Sequence, residues 1–107
     1  MAGSNIFVGT LDLLILRAVG RDPSHGYGIG RWIQDRSSGV LEVGEGALYP
    51  ALHRLERKGW LASDWGRTET GREAKFYSLT AEGRRQLEAD SARWHEHARA
   101  VTAVLQS

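Results

Sequence analysis

A proline set inside an otherwise helical stretch constrains this chain more than any other feature. The stretch Gly46-Ala-Leu-Tyr-Pro-Ala-Leu-His-Arg-Leu-Glu-Arg-Lys58 reads as a helix. At about 100° per residue, Leu48, Ala51, Leu52 and Leu55 fall on one side of it. Pro50 lacks an amide hydrogen, and its ring clashes with the carbonyl four residues back, that of Gly46. It is therefore expected in the first turn, with Tyr49 and Pro50 at the leading tip. Tyr49, Pro50, His53, Arg54 and Arg57 stand opposite the apolar stripe and form a cationic, aromatic front. A helix with its back in a core and such a front suits the major groove of double-stranded DNA. An ordinary amphipathic helix with solvated charges has the same pattern, so the neighbouring segments must decide.

Gly59 is the expected left-handed cap of that helix. Leu61 to Trp65 and Ala74 to Leu79 then read as extended segments joined through Gly66 to Glu73. Thr70-Gly71 is a turn signal within the connection, so the pair is expected to form a β-hairpin. Arg67, Arg72 and Lys75 make its tip and arm cationic. Side chains of that kind favour a phosphate backbone but cannot read sequence. For any one of them a solvated hairpin is the bland alternative.

Upstream, Thr10 is the expected N-cap of a helix running from Leu11 to about Val19 and ending at Gly20. Its apolar residues cover more than one side, which predicts contact with a second surface such as a second subunit. Asp22-Pro23-Ser24 reads as a turn with a cap. A second helix, from about His25 to Arg36, has Tyr27, Trp32 and Ile33 as expected core contacts, and His25 is expected to cap it or pack around it. Gly26, Gly28 and Gly30 each cost it roughly 0.5–1 kcal/mol against alanine, a loss that close packing would offset. Ser37-Ser38-Gly39 ends it, and Val40 to Val43 is a short extended piece.

Thr80 is the expected cap of the last helix. There Leu87, Ser91, Trp94, Ala98, Val101 and Leu105 recur at spacings of 4, 3, 4, 3 and 4, a heptad seam. Such a seam needs a partner, and a homodimer is the expected one, with Leu11 and Leu14 of the first helix joining Leu87, Trp94, Val101 and Leu105 in the interface. Folding back onto its own domain is the alternative.

Composition narrows the remaining choices. With 107 residues the chain is one domain and an appended helix. Lys and Arg number 14 against 13 acidic residues, a net charge of +1, so a nucleic-acid reading must rest on where charges lie rather than on their sum. The absence of cysteine excludes disulfides and thiolate metal sites. Leu13-Leu-Ile-Leu16 stops at Arg17, far short of a membrane span, and Met1-Ala-Gly-Ser4 does not read as a secretion signal; a cytoplasmic protein is expected. His25, His53, His95 and His97 form no catalytic or metal pattern, so neither an enzyme nor a cofactor is expected.

Three helices, a hairpin and a final helix, with the basic helix third, predict a mainly α fold with a small β-hairpin: a winged helix-turn-helix over residues 9–80 and a C-terminal dimerisation helix over 81–107. Four blocks carry a family resemblance as well. Gly9-Thr-Leu-Asp-Leu-Leu-Ile-Leu16, His25-Gly-Tyr-Gly-Ile29, Gly46-Ala-Leu-Tyr-Pro-Ala-Leu-His-Arg-Leu-Glu56 and Phe76-Tyr-Ser-Leu-Thr-Ala-Glu-Gly83 resemble the PadR family of bacterial transcriptional regulators, in its small branch with a single C-terminal helix. The resemblance implies a homodimeric repressor whose third helix enters the major groove. It also implies that Tyr49 and Pro50 form the helix tip, that His53 and Arg54 face the groove, and that Lys75 is the basic residue of the second wing strand. Ala47 and Glu73 depart from the family's usual hydroxyl and basic residues, which implies weaker phosphate anchoring.

In relatives of this type flat aromatic compounds insert between paired tryptophans, which implies an effector site at Trp94, Ser91 and Ala98. An interface anchor is the commoner use of such a tryptophan and the preferred reading. A winged helix that binds protein instead of DNA is the alternative function. It would need apolar residues where the third helix carries His53, Arg54 and Arg57.

Overall fold

The apolar stripes of the first three helices close around one core in the computed structural model, which describes residues 10–107. The expectations for Met1 to Gly9 lie outside the described residues. Helix α1 (Thr10–Arg21) is followed by strand β1 (Ser24–His25), helix α2 (Gly26–Arg36), helix α3 (Glu45–Arg57), the hairpin β2 (Leu61–Arg67) and β3 (Glu73–Leu79), and helix α4 (Ala81–Leu105). The core is built from Ile15, Leu16 and Val19 of α1, Ile29 and Ile33 of α2, and Leu48, Leu52 and Leu55 of α3, closed by Leu61, Tyr77 and Leu87. These spacings of three and four are what a 3.6-residue repeat needs to keep one face inward. Among the described residues no helix is long and apolar enough to cross a membrane.

Several boundaries differ from expectation. Thr10 is itself the first helical residue, and α1 continues through Gly20 to Arg21. Gly20 serves packing rather than termination: a Cβ there would lie 3.2 Å from Leu79 and 3.3 Å from Leu87. Pro50 lies in the second turn of α3, because the helix opens at Glu45 behind Gly44 as N-cap. The carbonyl of Gly46, which loses a helical partner to Pro50, belongs to an exposed residue and can be hydrated. Tyr27, expected in the core, is 66% exposed. It stands two residues from the buried Ile29, about 200° around the helix, and its hydroxyl accepts a hydrogen bond from Arg31 at 3.3 Å.

The sheet has a third strand that the sequence reading did not include. β1 pairs antiparallel with β3, giving the order β1-β3-β2. Two residues are too few to show alternation, so Asp22-Pro23-Ser24 signals only a turn. His25 then does two jobs. Its Nδ1 accepts the Gly28 amide at 3.2 Å, capping α2, and its ring lies edge-on to Phe76 at 5.2 Å.

Both caps read from the sequence on either side of the hairpin are in place. Gly59 has φ of 81°, with Trp60 N donating to Leu55 O and Gly59 N to Glu56 O, the paired bonds of a left-handed helix stop. At the start of α4, Thr80 Oγ1 accepts from Gly83 N at 2.9 Å and donates to Gly59 O at 2.7 Å. One hydroxyl thus ties the end of α3 to the beginning of α4.

A candidate nucleic-acid interface

Burying Leu48, Ala51, Leu52 and Leu55 forces the opposite face of α3 outward. His53 and Arg57 are exposed there, with Pro50 beside them. The flanks of the helix are tied down. On the side toward α1, Arg54 Nη2 donates to Asp12 Oδ1 at 2.6 Å. On the side toward the hairpin, Glu56 accepts from Ser63 at 2.6 Å and stands 3.9 Å from Lys75 Nζ. Tyr49 is 38% exposed, and its ring edge leans on the start of α2: a Cβ at Gly26 would meet the Tyr49 hydroxyl at 2.6 Å. Gly26 is therefore the one residue that lets Tyr49 lie there. Gly30 has more room, its nearest neighbours standing at 3.9 Å.

The hairpin presents its cations unevenly. Arg72 is exposed at the turn, where Gly71 takes φ of 85°. Arg67 is engaged with that turn, its Nη1 donating to Gly71 O at 2.8 Å. Thus His53, Arg57 and Arg72 face solvent, while Arg54, Lys75 and Arg67 are held by Asp12, Glu56 and the Gly71 carbonyl. Each tie involves partly or fully exposed side chains. An exposed ion pair is worth about 0.2–1 kcal/mol, so an approaching phosphate can compete for any of these cations.

Between α2, α3 and the hairpin lies a cleft of about 980 Å³, with Tyr27, Glu45 and Tyr49 on one wall and Arg67, Arg72 and Lys75 on the other. Tyr27, expected in the core, belongs to this surface, and the phase of α2 about Ile29 is the signal for it. Trp65 of the hairpin, which nothing in the local pattern singles out, is 66% exposed. Trp65 is opposite Lys75, and Ser63 opposite Tyr77. Cross-strand partners share a face, and alternate residues along a strand share one too, so Trp65 stands with Lys75 and Arg67 on the side that meets α3. Burial pushes the Tyr77 hydroxyl pKa up, with the charge of Glu56 and then Tyr49 adding to it, so Tyr77 stays neutral beside the cationic arm.

A second cleft, of about 650 Å³, opens at the other end. Asp12 and Leu13 of α1, Trp60 after α3, and Trp94, Ala98 and Val101 of α4 line it. Trp94 and Ala98 are thus brought together, whereas Ser91 lies outside the lining. Leu87 is buried at 5%, but Trp94, Val101 and Leu105 are 37%, 41% and 78% exposed. Leu11 and Leu14 are half-buried against the core. Among the described residues no group of three or more His, Asp or Glu could hold a metal ion.

Comparison with known proteins agrees with this fold. Residues 15–89 match the Transcriptional regulator PadR-like family. The chain is 41% identical over 73 residues to the transcriptional regulator Rv3488 of Mycobacterium tuberculosis, covering 67% of each chain. A PadR family transcriptional regulator from Eggerthella lenta superposes with a TM-score of 0.77 at 33% identity, over 92% of this chain and 84% of that one. The PadR-like transcriptional regulator of Bacillus cereus gives 0.80 at 25% identity, over 92% and 94%.

Proposed function

This chain belongs to the PadR-like family of transcriptional regulators, and on that premise we propose that it acts as a homodimeric repressor on a roughly palindromic operator. Regulators of this family are not enzymes, and the expectation of a DNA-binding winged-helix regulator holds. The observation that carries the finer reading is α3 itself, with every residue of its apolar stripe buried and His53 and Arg57 turned outward. In the proposed complex Tyr49, His53 and Arg57 face the major groove, and Arg72 and Lys75 meet phosphates. A protein-docking winged helix would need an apolar front, and this one is charged.

Residues 9–80 would form the DNA-binding unit and residues 81–107 the dimerisation helix, acting in the cytoplasm. The exposed seam Trp94, Val101 and Leu105 supports pairing through α4, with Leu11 and Leu14 of α1 beside it. The cleft beneath Trp94 falls within the roughly 300–1,000 Å³ range of small-molecule sites. Release by a flat aromatic effector is therefore kept as part of the proposal, with an interface anchor as its rival. The test is a gel shift on the DNA upstream of the protein's own gene, paired with sedimentation of the full chain. Two chains per retarded duplex, and a complex that survives unrelated competitor DNA, are the expected results. A monomer at micromolar concentration, or equal competition by any duplex, overturns the reading.

A further inference from the structure

Asp12 takes part in two places at once. The residue is among those lining the cleft beneath Trp94, and its Oδ1 accepts the 2.6 Å hydrogen bond from Arg54 of α3. Arg54 is not part of the cleft lining and reaches Asp12 from the helix with the exposed cationic face. The other charged groups of the lining are answered locally. Asp90 accepts from Gln86 at 3.0 Å and pairs with Arg93, while the Lys58 ammonium sits 4.6 Å from the centre of the Trp60 ring. Of the two lining carboxylates, Asp90 has its cationic partner Arg93 within the lining, whereas Asp12 has its cationic partner, Arg54, on another helix outside it.

We propose that Asp12 couples the cleft to α3: a cation seated against Trp94 competes with Arg54 for the carboxylate, and occupancy of the cleft releases Arg54. This rests on the reading of α3 as the DNA-reading helix and of the cleft as a ligand site that stays open in the dimer, although Trp94 and Val101 of its lining also belong to the proposed seam. The physics is a shared counter-ion. The Asp12–Arg54 side chains are 29% and 43% exposed, so the pair is screened and exchange of one cation for another is cheap. By linkage, the hold of Arg54 on Asp12 weakens the cleft for cations by the same factor that a bound cation weakens the hold on Arg54. Asp12 is therefore a positioning residue for α3 and a selector of ligand charge.

The coupling can be read without DNA. N-methylquinolinium, a planar cation, and quinoline, a neutral analogue at mildly alkaline pH, are titrated by calorimetry into the full-length protein and its variants. Asp12→Asn is expected to weaken the cation by about two- to five-fold, the range of an exposed ion pair, and to leave quinoline unchanged. Arg54→Gln, outside the cleft, is expected to strengthen the cation by a similar factor, and Arg54→Lys to restore wild-type affinity. The double variant should match Asp12→Asn alone, because Arg54 acts only through the carboxylate. Equal changes for both probes, no response to Arg54→Gln, or no binding of either probe to wild type would overturn the proposal. Failure to shift DNA counts against the proposed function alone and leaves these affinities readable.

Discussion

Helices α3 and α4 carry apolar stripes of similar regularity and dispose of them differently. In α3, Leu48, Ala51, Leu52 and Leu55 are all buried within the chain. In α4, Leu87 is buried, while exposure at Trp94, Val101 and Leu105 climbs from 37% to 78%. The first stripe is met by α1, α2 and the sheet, because α3 lies in the middle of the fold. The second outruns the domain: α4 extends for 25 residues, and among the described residues its buried members, Gly83 and Leu87, lie in the first two turns. A periodic stripe therefore says that a helix wants a partner and says nothing of whether that partner lies in the same chain.

The largest test of that contrast removes a member of the satisfied stripe. Leu52→Ala is expected to cost about 2–5 kcal/mol in a urea melt, the range for deleting a buried leucine. A loss below about 1 kcal/mol would mean that α3 is not packed as described. Next comes the junction between the two helices. Gly83→Ala puts a Cβ 2.1 Å from the Trp60 carbonyl oxygen, an overlap with backbone that cannot move aside as a side chain would. A loss of about 1–3 kcal/mol is expected, and an unchanged melting midpoint would show that α4 can lift away there. Thr80→Ala, which removes the cap, is expected to cost about 1 kcal/mol, read by the same melt. The smallest effect belongs to the unsatisfied stripe. Leu105→Ala should change the stability of the dilute single chain by no more than about 0.5 kcal/mol, while weakening self-association in sedimentation. A loss of 2 kcal/mol or more in dilute protein would erase the contrast.

The caps at Gly59 and Thr80 and the α3 stripe were legible in the sequence because each is local. Gly59 needs its own φ, Thr80 its own hydroxyl, and a 3.6-residue period is visible over about two turns. The errors come from features set by distant residues. Pro50 reads as a first-turn residue if only the ring and its clash are considered, yet the exposure of Gly46 lets α3 begin one turn earlier. Tyr27 reads as core from its chemistry, and only the phase fixed by Ile29 turns it outward. β1 exists because β3 offers it an edge. The ties at Arg54 and Lys75 could not be read at all, since Asp12 and Glu56 become their neighbours only after folding. Of the groove and wing residues named from the sequence, His53, Arg57 and Arg72 are exposed as expected, and the other cations are already engaged.

Gly83 also bears on distance. Seated against the Trp60 carbonyl, it fixes the root of a rod that continues for roughly 33 Å to Leu105 at 1.5 Å per residue. A tilt of about 5° at that root would carry the far end through about 3 Å, close to the rise of one base pair at roughly 3.4 Å. In the proposed dimer the two rods meet away from their roots, so the separation of the two reading helices depends on how little each root can pivot. In that proposed dimer, a contact with no slack at one glycine would act as a ruler, and such a ruler would favour one spacing between half-sites over its neighbours.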